Sequence, residues 1–214
     1  IVPVSKFREG PVYNVDTTAC GLRTRAHYER VILAEPNRTI RMDKKHQKYR
    51  ERPVHEFHFC PKCGDQLQTL KGRLICQGCG YIFYRNPTVG VAVIVQPGRT
   101  VLLGRRDRGE YKGAWCIPCG HLEWGEEVRT GAKREFLEET GLQVEIGPVY
   151  TVHSNFHNPQ SLTVGIWFRG SVIGGSLHAA DDLDDVDYFP LDALPDNLAF
   201  PTDRLVLEQL RQES

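Results

Sequence analysis

The sequence predicts an α/β fold, an α/β/α sandwich around a mixed sheet, with a small cysteine-rich ribbon in front of it. Three observations carry that prediction. Apolar, β-branched runs recur at residues 89–95, 101–103, 144–152, 162–168 and 186–189, each short enough for a strand. Two longer segments, 126–140 and 202–211, have helical spacing and end signals. Ahead of all of them stand two Cys-x-x-Cys pairs, Cys60-Pro-Lys-Cys63 and Cys76-Gln-Gly-Cys79, separated by twelve residues.

The cysteine pairs come first in the chain. Gly64 and Gly80 follow the pairs, letting each knuckle turn and aim backbone N–H groups at sulfur. Four thiolates so spaced suit a closed tetrahedral Zn2+ site of structural role, with Cys60, Cys63, Cys76 and Cys79 as ligands. The competing reading, two disulfides, belongs to oxidising compartments, and nothing else in the chain reads as secreted. Residues 74–76 and 81–83 read as short strands beside the knuckles. A unit this small depends on its metal to fold.

In the larger part, Pro97-Gly98 between the first two apolar runs signals a hairpin turn. The helix at 126–140 is closed by Gly141 and places Glu135, Glu138 and Glu139 at i, i+3 and i+4, on one face. Three carboxylates that close repel one another, and a hard divalent cation with oxygen ligands is the natural compensation. Arg134 beside them can brace one carboxylate with two hydrogen bonds. A solvated acidic face is the bland alternative. The final helix, 202–211, takes Thr202 as N-cap, with Leu205, Leu207 and Leu210 toward one face.

The spacing of Gly120, Glu126, Arg134, Glu135, Phe136, Glu138, Glu139, Gly141 and Leu142 resembles the Nudix box at every defining position. The resemblance implies a Nudix sandwich and hydrolysis of the pyrophosphate in a nucleoside diphosphate linked to another group. It implies Mg2+ or Mn2+ held by Glu135, Glu138 and Glu139 with the Gly120 carbonyl close by, and Glu126 and Arg134 orienting them. In this family the general base is either a box glutamate or an acid on a later loop, where Asp181, Asp182, Asp184 and Asp185 are the candidates. Residues 186–189 and the following Pro190-Leu191-Asp192-Ala193-Leu194-Pro195 resemble the strand and turn that follow in the family.

A zinc ribbon before such a domain is similar to two subgroups. The NADH pyrophosphatases carry Ser-Gln-Pro-Trp-Pro-Phe-Pro after the box, and residues 153–160, His-Ser-Asn-Phe-His-Asn-Pro-Gln, do not match it. The plant-type FAD and ADP-ribose pyrophosphatases resemble this chain better, through Phe59-Cys60, Tyr84-Arg85-Asn86-Pro87, Gly113-Ala114-Trp115 and Leu198-Ala199-Phe200-Pro201. FAD or ADP-ribose is therefore expected before NADH. Arg105 and Arg106, at the end of the second strand, are candidate phosphate clamps. Phe156, with Phe83, Tyr84, Trp167 and Phe200, is a candidate for an aromatic base slot. The same resemblance makes 115–120 the strand entering the box, so Cys116 and Cys119 read as buried thiols.

The expected division is 1–56 as an N-terminal extension, 57–84 as the ribbon and 85–214 as the hydrolase domain. The extension is poor in apolar runs, and its stretch from Arg38 to Arg52 is basic. It reads as a docking or loosely packed arm, through which a homodimer or larger assembly could form. A Nudix domain serving as a scaffold or nucleotide sensor within such an assembly is the rival to an enzyme.

Formal net charge is zero, with 27 basic and 27 acidic residues. That argues against nucleic acid as a general partner, capped RNA excepted, and leaves a small dinucleotide-type molecule as the expected ligand. No run is long enough to span a bilayer. Seven cysteines without a secretory signal point to a reducing intracellular compartment, cytoplasm or organelle matrix or stroma. The chain begins at Ile1 and not Met, and so is expected to be processed, truncated or part of a longer protein.

Overall fold

A computed structural model describes residues 57–155, 158 and 161–213. The N-terminal extension, Phe156 and Cys20 lie outside the described residues. The ribbon is a three-stranded antiparallel sheet of β1 (Leu67–Leu70), β2 (Arg73–Cys76) and β3 (Ile82–Phe83), in that order. β1, which the apolar pattern did not mark, pairs with β2 from Leu67 opposite Cys76 to Leu70 opposite Arg73.

The following strands are β4 (Thr88–Val95), β5 (Thr100–Arg106), β6 (Trp115–Cys116) and β7 (Cys119–His121). After helix α1 (Val128–Thr140) come β8 (Leu142–Asn155), β9 (Thr163–Gly175), β10 (Leu183–Pro190) and helix α2 (Pro201–Glu213). One sheet runs β7-β4-β9-β8 and the other β10-β5-β6. β4 and β9 are parallel and the remaining pairs antiparallel, which makes the sheet system mixed.

The expected hairpin between the first two strands is not formed. Pro97 does start a turn, its carbonyl accepting the Thr100 N–H at 3.3 Å. A strand has only two edges, however, and those of β4 are taken by β7 and β9. The chain leaves the turn into the other sheet, where β5 sits between β10 and β6. The single strand expected over 115–120 is also two short ones in different sheets, interrupted at Ile117-Pro118, where proline cannot donate a ladder bond.

Alternation along β4 explains the layering. Val91, Val93 and Val95 join Ala132 and Phe136 of α1 in one core, while Ala92 and Ile94 join Val206, Leu207 and Leu210 of α2 in another. Each helix therefore covers one side of the sheets, giving the expected α/β/α sandwich. α1 begins two residues later than predicted. The Glu127 carboxylate caps it, accepting the N–H groups of Arg129 and Thr130. α2 begins one residue earlier, with Pro201 at its first position, so Thr202 lies inside the helix and is not its cap. No helix among the described residues is long and apolar enough to cross a membrane.

Leu205 departs from the predicted face: it is 58% exposed, whereas Leu207 and Leu210 are buried. Leu210→Ala is expected to cost about 2–5 kcal/mol in urea unfolding, as a truncated core leucine does. Leu205→Ala should stay within about 0.5 kcal/mol of the parent. Equal losses for the two would contradict the packing described.

Candidate active site

The site is built where α1 crosses β7. Gly120, at the centre of β7, comes so close to Glu135 that a Cβ there would overlap the carboxyl group. Only glycine lets the helix approach the strand this closely. At the other end of α1, Gly141 closes the helix in the left-handed region, its N–H donating to the Leu137 carbonyl at 2.9 Å.

Arg134 organises the acids. Its Nε and Nη2 donate to the two oxygens of Glu126, each at 2.8 Å. Nη1 donates to Glu135 at 2.9 Å and to Glu138 at 3.0 Å. Nη2 also reaches the His121 carbonyl at 3.2 Å, tying the helix to the end of β7. Glu139 lies apart from this fan. It is buried, and its Oε2 accepts the Cys119 N–H at 2.8 Å.

The environments pull these carboxyls in opposite directions. Hydrogen bonds from Arg134 hold Glu126 down at about 2. Burial raises Glu139 well above the ordinary carboxylate range, and the charge of Glu135 raises it further despite the Cys119 N–H. Glu135 is raised as well, chiefly by burial.

A cavity of about 460 Å³ opens over this cluster. Gly120, Glu135 and Glu139 line it, while Glu138 and Glu126 do not. Glu138 stands outside with its side chain 47% exposed. The two candidate clamps separate, because neighbouring residues on a strand face opposite ways. Arg106 lines the cavity. Arg105 does not: it pairs with Asp184 at 2.7 Å and Asp185 at 3.2 Å and lies over Trp115. The later acids divide in the same manner, Asp181 and Asp182 lining the cavity while Asp184 and Asp185 do not. The loop carrying Asp181 and Asp182 hangs from the end of α1, where Ala180 N–H donates to the Glu139 carbonyl and His178 N–H to that of Thr140.

Of the aromatic candidates, Trp167 and Phe200 line the cavity. Phe83 and Tyr84 do not, being on and just after ribbon strand β3. Sequence reasoning missed Asp203. It is 1% exposed, lines the same cavity, and accepts the Ile117 N–H at 3.0 Å. Burial raises it to about 7 despite that bond. Around it, Arg106 Nε and Thr202 Oγ1 are buried without a hydrogen-bond partner among the described residues, while the Trp167 indole N–H offsets part of the rise at Asp203. An acid two residues after a proline helix start, where the helix turns inward, is the signal that could have found Asp203.

In the ribbon, the four cysteine sulfurs lie within 4.8 Å of one another. Cys60 and Cys79 are 3.7 Å apart and Cys63 and Cys76 3.5 Å, with all four cysteines free. Tetrahedral zinc–sulfur bonds of about 2.3 Å put sulfurs roughly 3.8 Å apart, so the donor set fits that metal. The Lys62 and Cys79 N–H groups each donate to a sulfur at 3.4 Å. The backbone N–H of Cys79 is the largest influence on the Cys76 thiol, holding it at about 7. Cys116 is fully buried, as expected, while Cys119 is partly exposed on the cavity wall.

A family model for the NUDIX domain matches residues 85–210. The chain is 34% identical over 132 residues to an ADP-ribose pyrophosphatase of Methanocaldococcus jannaschii, covering 61% of this chain and 78% of that protein. It is 32% identical over 140 residues to the NAD-capped RNA hydrolase NudC of Pseudomonas aeruginosa, covering 64% of this chain but only 49% of that one. A crystal structure of a NUDIX hydrolase from Nitrosomonas europaea superposes with a TM-score of 0.65 at 32% identity, covering 73% of this chain and 92% of that one. The acid-bearing helix, the glycine strand beneath it and a match running from the first strand of the sandwich to its last helix agree, and the chain belongs to the Nudix family of pyrophosphatases.

Proposed function

We propose that this protein is a divalent-metal-dependent hydrolase that splits the pyrophosphate of a nucleoside diphosphate derivative, with ADP-ribose or FAD ahead of NADH. One observation carries the reading: a single cavity has glutamates on one wall and, on another, an aromatic recess with polar atoms that lack partners. A pyrophosphate against the first wall leaves its nucleoside within reach of the second. The likeness to an ADP-ribose pyrophosphatase supports the order of substrates, as does the absence of the NADH-type segment. The complete acid cluster favours hydrolysis over a scaffold role.

Gly120, Glu135 and Glu139 on the cavity wall, with Glu138 one turn of α1 from Glu135 and reaching in from its rim, would hold Mg2+ or Mn2+, and Cys60, Cys63, Cys76 and Cys79 would hold Zn2+. The acid wall suits a hard cation, because Glu139 and Glu135 are both raised by burial and by a neighbouring acid, strains that a positive charge beside them reverses. When bound, such a cation neutralises phosphate oxygens and acidifies a water. Arg134 keeps Glu126 ionised and holds Glu135 and Glu138 in place. Arg106 faces the phosphate. Asp181, paired with Arg108 alone, is preferred over Asp182, which is paired with both Arg106 and Arg108, as the acceptor of the attacking water's proton. Trp167 and Phe200 flank the base, and the Asp203 carboxyl and Thr202 hydroxyl read its edge.

A hydrolysis screen over ADP-ribose, FAD, NADH, NAD and capped RNA, with Mg2+ or Mn2+, tests the reading. ADP-ribose or FAD should have the highest kcat/KM, and inactivity toward every one of them would refute it. Glu138→Gln should lower kcat at least about 100-fold, as loss of an anionic metal ligand does. Its urea midpoint should not move, because the side chain is half exposed. Elemental analysis should find one zinc per chain. Cys76→Ser should lose that zinc and expose the ribbon to limited proteolysis, and a wild-type metal content in that variant would contradict the assignment.

A further inference from the structure

The ribbon presents one face that neither its metal cluster nor its own packing uses. Strand alternation puts Leu74 and Cys76 of β2 on the inner face with Phe83, where Phe57 packs against the Phe83 ring at 4.6 Å. The opposite face carries Gln68, Leu70, Arg73, Ile75, Ile82 and, one residue past β3, Tyr84. Leu70, Arg73 and Tyr84 form a row across the three strands. Leu70 is 47% and Tyr84 57% exposed. The Arg73 guanidinium lies over the Tyr84 ring, 5.8 Å from its centroid. Tyr84 thus offers a half-open aromatic surface beside a cation, a pairing on which a flat ring can stack.

The charge of this unit is also one-sided. Residues 57–87 carry Lys62, Lys71, Arg73 and Arg85 against Asp65 and, with zinc in place, the negative four-thiolate centre, so the excess is small in total but unevenly placed. Asp65 is at the knuckle end, where its carboxylate lies against Gly78. The four thiolates are at that end too. Arg73 and Lys71 are at the other, ~10 Å along β2 from Cys76, about one screening length away at physiological salt. The open face therefore combines a cationic turn, an exposed aromatic plane and apolar and amide side chains, with no acid among them.

We propose that this face binds single-stranded nucleic acid, with one base stacked on Tyr84, Leu70 and Ile75 supporting its neighbours, and Arg73 and Lys71 meeting the phosphates. Cation and aromatic ring in one row fit a polyanion that bears flat, unstacked rings. An acidic peptide would use the cations and leave the aromatic plane idle. A duplex would use the cations as well, but it keeps its bases stacked inside. The face is thus a polymer-binding site, additional to the hydrolytic cavity and independent of which small nucleotide that cavity takes.

Fluorescence anisotropy of the full, zinc-loaded chain tests this, using labelled 12-residue oligouridylate, oligothymidylate and a mixed-sequence RNA duplex as probes. The single strands should bind, the duplex more weakly, and binding should weaken as salt rises. Tyr84→Ala should lower single-strand affinity at least about fivefold, and Tyr84→Phe should retain it. Arg73→Gln should lower affinity and flatten the slope of log affinity against log salt by ~0.7. Zinc content and hydrolysis of small nucleotides should stay at parental values in all three variants. Tighter binding of uridylate would assign the site to RNA, and equal binding to either strand. No binding up to about 100 μM at low salt, or affinity untouched by both Tyr84→Ala and Arg73→Gln, would overturn the proposal and leave the face to a protein partner.

Discussion

One guanidinium holds the candidate site together. Arg134 spends its donors on Glu126, Glu135, Glu138 and the His121 carbonyl. Glu135 and Glu138 on the helix and Glu126 just ahead of it would otherwise spread apart, since long acidic side chains have ample freedom to do so. With Arg134 between them the acids are preset, and the loop after β7 is tied to the same group. Lysine could not replace it, because a point charge lacks the planar fork that meets both oxygens of Glu126. Glu139 needs no such brace. Its orientation comes from the backbone of β7, so helix and strand are fastened through two separate bonds.

The sandwich serves this arrangement from both sides. β4 has valines toward α1 and smaller or branched side chains toward α2, so the same strand positions the acid helix and the helix that carries Asp203. α2 is anchored at its start by β6, where the Trp115 N–H donates to Asn197 and the Trp115 carbonyl accepts from Ala199. The Asp203 carboxylate then accepts the Ile117 N–H, just before Pro118. Cavity walls made of different elements are thus linked by backbone hydrogen bonds, which fix distance far better than apolar contact does.

The acid helix was legible because its residues act through local spacing. Glu135, Glu138 and Glu139 had to share a face, Gly141 had to end the helix, and the four cysteines could do little but converge. What could not be read depended on which strand lies next to which. The turn at Pro97-Gly98 was visible, yet its strands separate because other strands of higher sequence separation claim both edges of β4. Arg105 and Arg106 looked equivalent until the pleat put them on opposite faces. β1 was missed because Leu67-Gln68-Thr69-Leu70 is mostly exposed and lacks a buried alternation. Asp203 was passed over since an aspartate in the first turn of a helix usually serves the helix dipole on the surface, and here that turn faces inward.

The parallel pairing of β4 with β9 has a consequence for how the chain comes into being. Thr88 and Thr163, which begin the register and share a hydrogen bond at 2.9 Å, are 75 residues apart. At ordinary elongation rates the ribosome takes ~4–15 s to make that span. Throughout it, β4 has been synthesised but lacks its central neighbour, and a run of five buried apolar residues, Val91 to Val95, is without its partner. Non-local parallel pairs close slowly in any case, since the loop entropy is lost before the contacts form. The four-cysteine ribbon, by contrast, lies wholly before β4 and among the described residues pairs only with itself, so it can fold while the rest of the protein is still being translated.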